Sequence, residues 1–146
     1  MKSRLVSALV LALVAILALA TIASADQGSG SGTLTAQGNG MAALRGRGSI
    51  TISGSGVLYV RDEAGSPQVH ITGTGHKIER NGWTVYTGFH GEARITGSNL
   101  TVALRGVNIR LQATGTGKFI LRGNGTYQTG KASGVWTEEG TVVTLP

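Results

Sequence analysis

From Thr33 onward, apolar and polar residues alternate at every second position. Between 34 and 60 the even positions carry Leu34, Ala36, Ala42, Leu44, Ile50, Ile52, Leu58 and Val60. The remaining even positions are glycines, in the pairs Gly38/Gly40, Gly46/Gly48 and Gly54/Gly56. Leu100, Val102 and Leu104 repeat the alternation, as do Ile109 and Leu111. A period of two with β-branched and Thr enrichment predicts half-buried strands. No stretch after residue 25 carries a helical period.

The glycine pairs recur every eight residues, and Gly115/Gly117 and Gly123/Gly125 repeat that interval. A glycine inside a strand costs about 0.5–1 kcal/mol relative to alanine. Glycines on the core parity therefore answer a steric need: a bend, or another backbone or an aromatic ring packed on the bare Cα. Trp83, Tyr86, Phe89, Trp136, Tyr59 and Tyr127 are the aromatic candidates for that cover.

Turn chemistry predicts hairpins. Asn81-Gly82 between two strand-like runs is a type I′ signal. Asp62–Pro67, Gly97-Ser98-Asn99 and Gly130–Ser133 supply further reversals. Successive hairpins predict an all-β, glycine-kinked antiparallel meander closing into a small barrel or sandwich. A β-solenoid is the rival, with the eight-residue interval marking its corners.

Residues 33–50 align without gaps on 110–127. Leu34, Ala36, Gly38, Gly40, Leu44, Arg45, Gly46 and Gly48 meet identical residues 77 positions on. Two copies of one bent strand unit are expected in equivalent places.

The first 25 residues differ from the rest. Lys2 and Arg4 precede an apolar run from Leu5 to Ala20, broken only by Ser7, and Ala23-Ser24-Ala25 ends it. This is the layout of a secretory signal peptide. The run is short for a membrane span, which needs about 20 residues. We expect export to the cell envelope or beyond, with cleavage after Ala25. A membrane is expected as a partner only through an uncleaved segment. Residues 26–32 read as a flexible Gly/Ser tail, and 33–146 as one domain.

The chain has no cysteine, which removes disulfides, thiolate metal sites and a thiol nucleophile. Eleven Lys and Arg stand against seven Asp and Glu after residue 25, a net charge of about +4. That mild excess favours polyanions at low salt. With export expected and no basic patch interleaved with aromatics, nucleic acid is not expected.

No catalytic set stands out. His70, His76 and His90 lack ligand spacing, and the Asp and Glu residues sit in turn-like contexts. No catalytic residue, cofactor or metal is assigned. The outward positions are more informative. Arg45, Arg47, Arg110 and Arg122 stand among Ser and Thr, a pattern whose guanidinium forks suit sulfate, phosphate or uronate groups. The same pattern also serves to solubilise a sheet and guard its edges.

The runs Ala-Leu-Arg-Gly, Gly-x-Gly-x-Leu-Tyr-Val-Arg-Asp and Asn-Gly-Trp-x-Val-Tyr-x-Gly-Phe resemble a group of exported, glycine-rich β-domain proteins of bacteria without an established activity. The resemblance implies an exported β domain and carries no functional residues with it. The expected role is thus non-enzymatic, structural or interactive, at the envelope. Its partner would be another envelope protein or, as the alternative, an anionic polysaccharide held by those four arginines.

Overall fold

A computed structural model describes residues 32–63 and 67–145. The expected signal peptide, 1–25, and most of the expected tail lie outside them. Gly32, assigned to that tail, already pairs as strand.

The described residues form strands and turns only, in one antiparallel sheet. β1 spans Gly32–Asp62, β2 Gln68–Arg80, β3 Trp83–Thr129, β4 Ser133–Val135 and β5 Thr141–Leu145. β1 pairs with β3, and β3 also takes β2, β4 and β5.

β1 lies between two stretches of β3. Ala42 pairs with Leu104 on one side and Leu121 on the other, and Leu104 pairs in turn with Leu58. Crossing two strands thus advances the chain sixteen residues, from Ala42 to Leu58. The same step links Leu34, Ala113 and Ile50. Sixteen residues are two glycine intervals, so each interval marks half a turn of a sheet that bends back over itself.

The glycines make those bends. Gly38 faces Gly125, Gly40 faces Gly123, Gly46 faces Gly117, Gly48 faces Gly115 and Gly56 faces Gly106. Gly48 has φ +136°, and a Cβ on it would lie 2.9 Å from Gly115 Cα and against the Thr114 carbonyl. Only bare Cα atoms allow two bent backbones to approach so closely. Aromatic cover serves elsewhere: a Cβ on Gly125 would also lie 2.9 Å from Trp136 Cδ2, and one on Gly134 2.7 Å from the Tyr127 ring.

Between the bends, the even-numbered apolar residues of β1 meet the inward apolar residues of β3 in one core. Leu34, Ile52, Leu58, Leu104, Ile109, Leu111 and Leu121 are fully buried there. Among the described residues no helix covers this face, and the sheet covers itself, sandwich-fashion.

Two expectations change. The sheet does not close into a barrel, because β2 at one margin and β4 and β5 at the other never meet. Nor do Gly97-Ser98-Asn99 reverse the chain. β3 runs through them as one 47-residue strand, with Gly97 opposite Gly48 at a bend. The Asn81-Gly82 hairpin forms as expected, with φ of 53° and 81°. So does the turn after Thr129, whose Oγ1 accepts from the Ala132 and Lys131 amides at 3.0 and 3.2 Å.

The register brings the repeat onto itself. Residues 34–50 pair antiparallel with 113–129, and Ala43 lies opposite Ile120, its own counterpart in the second copy. A local two-fold relation therefore passes through the Ala43–Ile120 pair.

Candidate functional site

Each half-turn carries outward residues to a different side, so the domain has two unlike outer faces. On the first, one row across the strands reads Gln128, Thr35, Gln112, Thr51, Arg94 and His70. It is polar throughout. Arg110 belongs to this face, between Gln37 and Ser53.

The second face is built differently. Its central row reads Val142, Ile120, Ala43, Ala103, Tyr59, Val85 and Ile78, apolar from margin to margin. The middle five are 0–3% exposed. They form a second apolar cluster with Trp83, distinct from the core between the layers. Arg122, Met41, Arg105 and Val57 border the row on one side, and Lys118, Arg45, Thr101 and Arg61 on the other. An apolar stripe thus lies between two basic margins. The Arg61 guanidinium sits 5.6 Å from the Trp83 ring centroid, within cation–π reach. Burial raises the Tyr59 hydroxyl pKa above 10.0, and the charge of Arg105 pulls weakly the other way.

The four arginines expected to act together are separated. Arg45 and Arg122 share the second face, one on each side of the apolar row. Arg47 stands on a bend between Gly46 and Gly48, donating to Thr116 Oγ1 at 3.2 Å. Arg110 is on the opposite face. Parity along a strand gives inside and outside, but a bend every eight residues decides which outside. Arg105 and Lys118 join the face that Arg45 and Arg122 occupy; outward parity places Lys118 with Arg122, while residue spacing does not single out Arg105.

Ala43, Ala103, Tyr59 and Val85 were also missed. Each is one apolar residue on an outward position, and only the pairing register assembles them. A second contact invisible in sequence lies on a bend, where Ser55 Oγ and His90 Nδ1 are 2.5 Å apart. His90 and Glu92 do not act as a pair, since Glu92 holds Arg94 Nε at 3.0 Å. Among the described residues there is no group of three or more His, Cys, Asp or Glu suited to a metal. No family model, curated protein or solved structure matches the chain.

Proposed function

We propose that this is an exported, non-enzymatic β domain that works by surface contact at the cell envelope, through the basic residues that flank its buried apolar row. The observation that carries the reading is the contrast between the two outer faces. One is polar but for Val135, beside Thr126 on the margin strand β4. The other holds seven apolar residues in line, with Arg45, Arg61, Arg105, Arg122 and Lys118 beside them.

That arrangement suits an anionic lipid surface. Tyr59 and Trp83 are buried, and the exposed Arg45 and Arg105 beside them are the groups that reach such a surface. Each cation held near an anionic leaflet contributes about 1 kcal/mol. Export follows from the N-terminal pattern of Lys2, Arg4, Leu5–Ala20 and Ala23-Ser24-Ala25.

Flotation of the chain from Asp26 with vesicles tests the reading. Binding is expected to vesicles rich in phosphatidylglycerol, to weaken as salt rises, and to be absent with phosphatidylcholine alone. Equal behaviour toward both would refute it. A second reading, an anionic glycan, draws on Arg45, Arg105, Arg122 and Lys118 lying on one face. Salt-sensitive retention on heparin without vesicle binding would favour that reading.

A further inference from the structure

β2 is the margin strand at one end of the sheet, and among the described residues no strand pairs with its outer edge. Such an edge presents a row of free backbone N–H and C=O groups, which proteins blunt with short strands, prolines, bulges or charge. β2 is blunted little. It runs thirteen residues, Gln68–Arg80, without a proline. The register shift after Thr74 puts its extra residue on β3, and Lys77 is held by Glu79 at 3.4 Å. From Thr72 to Arg80 every residue is exposed.

The same edge carries a bend with half of its complement missing. Inside the sheet, a Gly-x-Gly bend meets another running the opposite way: Gly38/Gly40 against Gly125/Gly123, and Gly46/Gly48 against Gly117/Gly115. In each, an added Cβ would strike the backbone opposite; on Gly46 it would lie 2.7 Å from Gly117 Cα. Gly73 of β2 faces Gly91 in that manner. Gly75 does not. Its φ lies outside the left-handed region, and a Cβ on it would have Phe89 Cα as its nearest atom, at 3.5 Å, an ordinary contact. Among the described residues, nothing requires Gly75 to be a glycine.

We propose that β2 pairs with β2 of a second copy, antiparallel and centred on Thr74, joining two domains edge to edge. The register follows from the glycines. Setting Gly73 opposite Gly75 of the second copy places Thr74 on the two-fold axis. All thirteen residues then pair end to end, from Gln68 with Arg80 to Thr72 with His76. No like charges oppose one another. Lys77 meets Ile71, Glu79 meets Val69, and Thr74 meets Thr74, a favourable cross-strand pair. Ile78, 36% exposed, gains His70 of the second copy beside it.

The other margin does not offer such an edge. β4 ends at Val135 and β5 starts at Thr141, so no single bent strand runs along it. The contact is therefore isologous and closes at two copies. His70 belongs to the first outer face and Ile78 to the second, so the second faces of the two copies point to opposite sides of the dimer.

Sedimentation equilibrium of the chain from Asp26 tests this. It needs no lipid, so its outcome is independent of the contact reading above. A monomer–dimer equilibrium is expected. Gly75→Ala should weaken it at least about ten-fold, because each added methyl meets Gly73 of the other copy. Its urea midpoint, measured dilute, should match that of the native chain. Thr74→Cys gives a second readout in a chain with no other cysteine. A residue on the two-fold axis faces itself at a distance that a disulfide can bridge. Mild oxidation should therefore yield a covalent dimer, well ahead of His70→Cys, which faces Ile78. A chain that stays monomeric at every loading, a dimer indifferent to Gly75→Ala, or equal cross-linking by the two cysteines would overturn the inference.

Discussion

Replacing Gly48 by alanine attacks a single bend. Gly48 has φ +136°, a conformation that L residues rarely adopt, and its Cα faces Gly115 across the sheet. The strained backbone costs about 1–3 kcal/mol. The added methyl meets backbone atoms of Thr114 and Gly115, neither of which can withdraw without opening the β1–β3 ladder, and such overpacking costs about 1–3 kcal/mol. Together the loss is about 2–6 kcal/mol, against a total of about 5–15 for an ordinary domain. Gly130→Ala is the control, because an added Cβ there meets nothing within 4 Å. Its effect should stay within about 0.5 kcal/mol, as at other surface positions. Urea unfolding followed by far-ultraviolet circular dichroism measures both. If Gly48→Ala unfolds at the same midpoint as Gly130→Ala, the paired glycines are not what folds the sheet over.

Further outcomes follow from other sites. Gly82→Ala keeps open space, its Cβ 3.9 Å from Arg61 Nε, but must hold φ +81°. A milder loss of about 1 kcal/mol is expected from the same unfolding curves. Tyr59 has a raised pKa when folded, so its contribution is complete below pH 10.0 and lost as pH rises through the folded value. Stability of the native chain relative to Tyr59→Phe should fall in that alkaline range, and absorbance at 295 nm should show one late-titrating phenol that Tyr59→Phe removes. Arg45→Ala and Arg105→Ala should each weaken binding to anionic vesicles about five-fold. Arg110→Ala, on the other face, should leave it unchanged; equal effects from all three would mean that the faces are not distinct.

The core was legible because it depends on parity alone. Even positions of β1 from Leu34 to Val60 point inward throughout, glycines included, and alternation cannot hide that. The Asn81-Gly82 turn was legible because its left-handed backbone demands those residues. The length of β3 was not. A reversal at Gly97-Ser98-Asn99 and a bend at the same residues draw on the same small, polar types, and only the opposing Gly48 distinguishes them. The contact face was hidden for a related reason. Its residues are contributed by strand segments far apart in sequence, one apolar residue at a time. Membership depends on register, which here changes by a residue at several glycines along the β1–β3 pairing. Arg110 was grouped with Arg45 by repeat and parity, and half a turn of the sheet sends it to the other side.

Because the chain has no cysteine, paired cysteines report on this partition without background. Arg45 lies directly opposite Lys118, at the Cα separation of about 4.5–5.5 Å typical of antiparallel pairs, which a disulfide can bridge. Under mild oxidation, Arg45→Cys with Lys118→Cys should close a disulfide within the monomer, and Arg45→Cys with Arg110→Cys should stay reduced. Closure of the second pair and not the first would contradict the two-faced sheet on which the proposed contact surface stands.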